Sequence, residues 1–160
     1  MKTLQISEGK ARSLYKTGSS EIKELLEENF GKDFFSQKII DRVKTYEDAC
    51  RELGESTINE SELLSKGFTK DEIVRRKLIT IARALNEGWI GNIYSNDNRY
   101  YPYFETGMSA SSFAFDLSNC AYSCANAGSG SRLSFKTKEL SDYAGKQFLD
   151  LWRELIQSSN

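Results

Sequence analysis

The chain changes its chemistry near Glu87, and this change constrains the fold more than any other feature of the sequence. Before Glu87, charged residues are dense and apolar residues recur at helical spacing. From Gly88 to Ala127 only four residues are charged, whereas nine of the 19 aromatic residues lie there. No Pro-rich or long Gly/Ser linker separates the two halves. We therefore interpret residues 1–160 as one α+β domain with a helical N-terminal half.

The helical half carries recognisable start signals. Thr45 with Asp48, and Thr69 with Glu72, place a hydroxyl three residues before an acidic side chain, which is the pattern of a helix-capping box. Each pair precedes an apolar stripe of period 3.6, so each predicts an amphipathic helix. Two further helices are predicted upstream, around residues 11–15 and 20–30.

The aromatic half predicts a small antiparallel sheet of about three strands. Alternation of apolar residues with small or polar ones is typical of strands that bury one face. The alternating sets are Tyr101 and Tyr103; Phe113, Phe115 and Leu117; Cys120, Tyr122 and Cys124; and Leu133 and Phe135. Pro102 restricts the first strand to an edge, because proline donates no ladder hydrogen bond. We expect Ser118 and Asn119 to form a turn.

A long C-terminal helix is predicted from Thr137, a candidate N-cap, to about Gln157. Its apolar residues form a continuous face, which we expect to cover one side of the sheet. Gly145 lies inside this helix, where glycine costs about 1 kcal/mol relative to alanine. We interpret Gly145 as the mark of a close packing contact.

The absence of histidine is the most informative feature for mechanism. It excludes Ser-His-Asp and Cys-His catalysis and every zinc site that needs histidine. The three cysteines, Cys50, Cys120 and Cys124, are too few for a four-ligand zinc site, and their odd number favours reduced thiols in a cytosol. No spacing of other residues predicts a catalytic set. We therefore expect a non-enzymatic protein without metal or cofactor.

The charge balance limits the class of partner. Twenty-two basic and 23 acidic residues give a net charge of −1, whereas extended nucleic-acid binding usually needs a basic excess. No apolar run approaches ~20 residues, and the first residues lack the pattern of a signal peptide. The sequence predicts a cytoplasmic protein without membrane contact.

Residues 99–104 are a candidate ligand surface. Successive side chains of a strand face opposite ways, so consecutive aromatic residues cannot all enter one core. Aromatic rings stack on nucleobases and arginine neutralises phosphate. Arg99, Tyr101 and Tyr103 are therefore candidate ligand residues, with the alternative that they form an edge strand covered by the C-terminal helix.

Three residues outside this cluster complete the candidate site. Arg132 follows two glycines in a segment, residues 127–132, that either cradles an anion with backbone amides or is a plain hairpin turn. Lys136 is a second candidate phosphate contact, and Trp89 is a candidate wall. Basic residues in the helix that begins near Lys70 are interpreted as a solvated face.

Four segments resemble an uncharacterised small accessory protein family that phages and prophages of gut bacteria carry. The likeness covers most of the chain beyond Phe30, although the connection after the YYP segment is shorter here than in many relatives. The segments are RVKTYEDAC (42–50), ARALNEGW (82–89), YYPYF (100–104), and SRLSFK (131–136) running into ELSDYAGKQF (139–148).

The resemblance implies a setting and no assigned activity. Small phage proteins often counter host defence, and by analogy this chain is expected to sequester a nucleotide immune signal in the bacterial cytosol. Two alternatives stay open. The exposed aromatic residues could instead bind a protein or belong to the virion, with a homodimer compatible with the sheet edge. The third possibility is a histidine-free enzyme that uses Asp or Glu as a base on a nucleotide.

Overall fold

The computed structural model describes residues 6–91, 97–105, 112–122 and 131–157. Within these ranges a helical half precedes a two-stranded antiparallel sheet, and two further helices follow it. The helices are α1 (Glu8–Thr17), α2 (Ser20–Phe30), α3 (Lys32–Ser36), α4 (Ile39–Arg42), α5 (Tyr46–Leu53), α6 (Glu60–Ser65), α7 (Lys70–Leu85), α8 (Lys138–Gln147) and α9 (Leu149–Gln157). The strands are β1 (Asn98–Glu105) and β2 (Ala114–Tyr122). In the described ranges, no helix has the length and apolarity needed to cross a membrane.

Capping side chains start the two central helices where the sequence predicts them. The Asp48 amide donates to Thr45 Oγ1 over 3.1 Å, and the Thr45 amide donates to the Asp48 carboxylate over 3.0 Å. The Thr69 amide donates to Glu72 over 2.8 Å at the start of α7. The Thr45 pair is reciprocal, and in both pairs the acidic side chain accepts from the backbone amide of the capping threonine. The short helices α3, α4 and α6 were not predicted, because none of them is long enough to show a 3.6-residue period.

In the part of the chain that the structure describes, the sheet has two strands, so the expectation of about three is wrong in number. β1 and β2 pair antiparallel from Asn98 opposite Tyr122 to Glu105 opposite Ala114. Ser118, expected in a turn, lies inside the continuous strand β2. It is buried there and its Oγ donates to Ser141 Oγ over 2.7 Å. A polar residue in the middle of β2 thus contacts α8. Because the sequence does not show this contact, Ser118 was interpreted as a turn residue and the strand was not predicted to be continuous.

The third strand expected around Leu133 and Phe135 is reduced to one paired residue. Ser131–Leu133 forms a 3₁₀ turn, and Phe135 pairs with Tyr100 of β1 in an isolated bridge. The Tyr100 amide donates to the Phe135 carbonyl over 3.0 Å, and the Phe135 amide donates back over 2.9 Å. Since the Tyr100 amide points away from β2, the nitrogen of Pro102 two residues later does so too. Proline therefore breaks no bond between the two strands. Cys124, placed in another expected strand, lies outside the described residues.

The expectation of a single long C-terminal helix is wrong, because the helix is interrupted at Phe148, which lies between α8 and α9. Thr137 caps α8 as predicted, accepting from the Leu140 amide over 3.3 Å. At the break the Ala144 carbonyl accepts both the Phe148 amide, over 3.2 Å, and the indole N–H of Trp152, over 3.1 Å. Helix α8 packs on both strands, whereas α9 packs on α7. Phe148 thus separates the part of the chain that packs on the sheet from the part that packs on α7.

The core is shared by both halves of the chain. Helix α7 supplies one long apolar stripe. Helices α5 and α9 and the 3₁₀ turn at Ser131–Leu133 pack against it. Phe135 is 1% exposed, and Trp152 of α9 is buried with it in the same cluster. The other buried members are Ile39, Val43, Tyr46, Ala49, Cys50, Val74, Leu78, Ile81, Ala82, Ala84, Leu85, Phe113, Leu140, Ala144 and Phe148.

Gly145 is the close packing contact that the sequence predicts. A Cβ atom at this position would lie 2.3 Å from Cδ2 of Phe115 and 3.0 Å from Cβ of Pro102. Both distances are below van der Waals contact. The missing side chain therefore allows α8 to approach the face of the sheet.

We expect Gly145→Ala to lower the free energy of unfolding by about 1–2 kcal/mol. Alanine gains about 1 kcal/mol of helix propensity, but overpacking against the Phe115 ring costs more. Denaturant unfolding measures the change. Phe115→Val, which lacks the clashing ring atoms, is the matched background, and Gly145→Ala should cost less there. An equal cost in both backgrounds would contradict the packing explanation.

Candidate functional site

A groove of about 730 Å³ opens beside the C-terminal end of α7. This volume is in the range of pockets that bind nucleotide-sized molecules. Helix α5 contributes Leu53, α7 contributes Ile79 and Arg83, and β1 contributes Arg99. The segments after α7 and before α8 contribute the other lining residues. The lining residues are Leu53, Ile79, Arg83, Asn86, Gly88, Trp89, Ile90, Gly91, Arg99, Arg132 and Ser134.

A tight reversal after α7 positions the aromatic wall of the groove. Glu87 and Gly88 have φ angles of 49° and 84°, so two successive residues have a backbone in the left-handed region. The Trp89 amide then donates to the Asn86 carbonyl over 2.9 Å. This turn brings the half-buried Trp89 ring to the groove and leaves Ile90 89% exposed. Together they offer an apolar surface on which a planar ring can stack.

Asn86 joins the two walls of the groove. Its side chain is buried, its amide Nδ2 donates to the Ser134 carbonyl over 2.8 Å, and its Oδ1 accepts from the Lys136 amide over 2.9 Å. These bonds hold the segment before α8 against the end of α7, and they bring Arg132 to the groove. Sequence reasoning missed Asn86; the available signal was a polar residue at the end of an apolar helical stripe.

Arg99 is a fixed, buried cation at the groove. It is 6% exposed, and its Nη2 donates to the Gly91 carbonyl over 2.5 Å. Its guanidinium carbon lies 6.0 Å from the centre of the Trp89 ring, at the limit of a cation–π contact. A Cβ atom on Gly91 would lie 2.8 Å from that carbon, so a side chain there would displace Arg99.

Two more guanidinium groups make the groove cationic. Arg132 is exposed, and no carboxylate of the described residues lies within 4.0 Å of it. Arg83 forms two hydrogen bonds, of 3.1 and 2.8 Å, with the carboxylate of Glu55. The described residues that line the groove include three arginines and neither Asp nor Glu. The lining therefore favours an anionic occupant.

The structure brings together three of the six residues that the sequence predicts for the site. Trp89, Arg99 and Arg132 line the groove, whereas Tyr101, Tyr103 and Lys136 do not. Tyr101 is half-buried and Tyr103 is 51% exposed on β1. The amino group of Lys136 pairs with Glu87 over 3.2 Å. Residues 127–130 of the predicted anion-cradling segment lie outside the described residues.

Residues 99–104 are divided between the core, the surface and the groove. The Phe104 ring is packed in the core, 5.0 Å from Phe113 and 5.4 Å from Trp152 between ring centres. Tyr103, next to it in the chain, is the exposed residue. The segment therefore supplies a core ring, a surface ring and, through Arg99, a groove cation.

Glu87 connects the groove to the N-terminal helices. Its carboxylate pairs with Lys16 over 3.0 Å, with Lys136 over 3.2 Å and with Arg42 over 3.3 Å. Partial burial is the largest influence on its pKa and acts to raise it, but hydrogen bonds and attraction from Lys16 and Lys136 hold the pKa below its usual value. These pairs offset the cost of a left-handed backbone at a residue that is not glycine.

We expect Glu87→Gln to lower the free energy of unfolding by about 1 kcal/mol at pH 7. The folded-state pKa lies below the unfolded value, so this stabilisation is present above about pH 4.3 and is lost as pH falls through the folded pKa. Unfolding measured from pH 7 to pH 3 should therefore show the two proteins converging at low pH. Glu28→Gln, exposed on α2, is the control, and a constant difference at every pH would contradict the ionic explanation.

Two smaller pockets, of about 250 and 500 Å³, lie among the N-terminal helices. Their cations are accompanied by acidic lining residues, including Glu52 in both. In the described part of the chain, no group of three Asp, Glu or Cys residues could hold a metal ion. The groove beside α7 is therefore the stronger candidate for a ligand site.

No family model matches this chain, and neither a curated protein nor a solved structure is significantly similar to it. Its function is accordingly inferred from the geometry of the groove.

Proposed function

We propose that this protein binds a small anionic ligand with an aromatic ring, most simply a nucleotide, and sequesters it without chemical change. One observation carries the proposal. The indole of Trp89 and the guanidinium groups of Arg83, Arg99 and Arg132 meet in one open groove. Its described lining residues include neither Asp nor Glu, although Arg83 pairs with the carboxylate of Glu55 beside the groove.

The two kinds of lining residue have separate roles. The base stacks on Trp89 beside the exposed Ile90, where ring burial supplies affinity with little sequence preference. Arg132 reaches the phosphate, which a guanidinium can bind through two parallel hydrogen bonds. Arg99 is already held by Gly91 and by the Trp89 ring. Because it is fixed before binding, little conformational entropy is lost when the ligand arrives.

The resemblance to phage accessory proteins supports a biological role for this binding. In that role the protein acts in the cytosol of an infected bacterium and removes a cyclic-nucleotide immune signal from its receptor. The groove lining supports sequestration, since the guanidinium groups and the indole that its described residues supply can hold a nucleotide without a chemical step.

Isothermal titration calorimetry tests the proposal with cyclic dinucleotides, cyclic trinucleotides and cyclic ADP-ribose isomers. We expect saturable binding of at least one of them. Adenosine, which lacks phosphate, and inorganic pyrophosphate, which lacks a base, should each bind the protein more weakly than that nucleotide does. Chromatography of the released ligand should show it unchanged. Absence of binding by every nucleotide would overturn the proposal, and product formation would replace it with a histidine-free enzyme.

A second candidate, a protein-interaction or virion component, is favoured by the sheet surface. Tyr103 on β1 and Leu117 on β2 are 51% and 45% exposed. Exposed aromatic residues are common anchors of protein interfaces. If this candidate is right, affinity capture from infected cells should recover a specific phage or host protein, and Tyr103→Asp should abolish its recovery. Capture that is insensitive to this substitution would argue against the sheet surface.

A further inference from the structure

Arg83 of the groove is already bound by an internal carboxylate. The two guanidinium nitrogens donate to the two oxygens of Glu55, over 3.1 and 2.8 Å. This is the same two-bond geometry with which arginine binds a phosphate group. Arg83 lines the groove, whereas Glu55 does not. The protein therefore holds a carboxylate in the arrangement that a ligand phosphate would take.

The backbone fixes Glu55 in place beside Arg83. Gly54 ends α5 in the left-handed conformation, with a φ of 68°, and the Glu55 amide donates to the Cys50 carbonyl over 2.9 Å. The side chains of Arg83 and Glu55 remain 54% and 41% exposed. The carboxylate is thus anchored at its backbone but free to separate from the guanidinium, and solvent can reach both groups.

We infer that Glu55 is a built-in competitor for the anionic part of the ligand. The inference rests on the proposed function and adds how the groove is regulated and which ligands it selects. A ligand must displace Glu55 from Arg83 before its phosphate can bind there. The groove consequently discriminates against carboxylates and weakly charged ligands, and it favours ligands with more than one phosphate group.

The test compares Glu55→Gln with wild-type protein by calorimetry, using inorganic pyrophosphate and cyclic di-AMP as probes. Loss of the competing charge should strengthen binding of both about 3- to 10-fold at low ionic strength, in line with the small energies of exposed ion pairs. Adenosine, which has no phosphate, should bind both proteins equally. The gain should shrink in 0.5 M NaCl, because salt screens exposed charges.

Glu62→Gln is the matched control. Glu62 of α6 pairs with Lys66, its side chain is exposed, and its replacement changes the net charge by the same amount. It does not line the groove, so the affinity of Glu62→Gln for either probe should stay within about twofold of wild type, the weak effect expected of a remote exposed charge. The melting temperatures of both variants should stay close to that of wild type, since exposed ion pairs contribute little to folding.

The outcomes separate this inference from the proposed function. Binding by wild type with no gain in Glu55→Gln, or an equal gain in Glu62→Gln, would overturn the competitor role and leave the proposed function intact. Binding by Glu55→Gln alone would support the competitor role in its strongest form. Failure of wild type and Glu55→Gln to bind either probe or any nucleotide tested would overturn both.

Discussion

Replacing Phe135 with alanine is expected to lower the free energy of unfolding by about 3–5 kcal/mol, the cost of emptying a large core site. Phe135 is 1% exposed and belongs to the central cluster. Its backbone also forms both hydrogen bonds that attach the segment before α8 to Tyr100 of β1. Loss of the ring therefore loosens the sheet and α7 together. For a chain of this length, the melting temperature should fall by roughly 10 °C.

Tyr103→Ala is the control for this prediction, because it removes an aromatic ring of β1 that is 51% exposed. It should cost less than about 1 kcal/mol, as expected for a surface position. Chemical denaturation of both variants measures the difference. Similar losses for the two variants would contradict the assignment of Phe135 to the centre of the core.

Arg132→Glu is expected to weaken nucleotide binding by at least about tenfold, and the thermal stability should not change. Arg132 is exposed and has no carboxylate of the described residues within 4.0 Å. Its replacement therefore breaks no ion pair of the fold. A carboxylate in its place would repel the phosphate that the guanidinium binds, and a charge-assisted contact would be lost as well. Calorimetry with the nucleotide that binds wild type most tightly measures the change.

Lys32→Glu makes the same change in net charge at a remote place. The Lys32 side chain is 83% exposed at the start of α3 and lies 3.7 Å from a carboxylate oxygen of Glu27. We expect this variant to bind within about twofold of wild type, because remote exposed charges are largely screened. If it loses as much affinity as Arg132→Glu, the effect comes from overall charge and not from the groove.

The helices could be predicted from the sequence because their signals are local. Thr45 and Asp48 are three residues apart, and their reciprocal hydrogen bonds depend on nothing outside the first turn of α5. The sheet could not be predicted in detail. Ser118 resembles a turn residue until its contact with Ser141, 23 positions later, is known. Phe148 likewise separates contacts with the sheet from contacts with α7, and the sequence places neither surface.

The candidate site was predictable in its chemistry and only partly in its membership. Trp89, Arg99 and Arg132 stood out as an aromatic residue and two cations near the charge-poor segment. The sequence could not show that Lys136 would pair with Glu87, which precedes it by 49 positions. Asn86 could not be predicted for the same reason, because its side chain bonds to the backbone of Ser134, which is distant in the sequence.

Mass spectrometry of retained nucleotides tests the groove most directly. Wild-type protein, Trp89→Ala and Arg132→Glu would each be equilibrated with the same nucleotide mixture, desalted and denatured, and the released molecules identified. We expect wild type to retain at least one nucleotide and both variants to lose most of it. Retention of the same nucleotide at the same level by all three proteins, or by none of them, would contradict the assignment of the groove as the binding site.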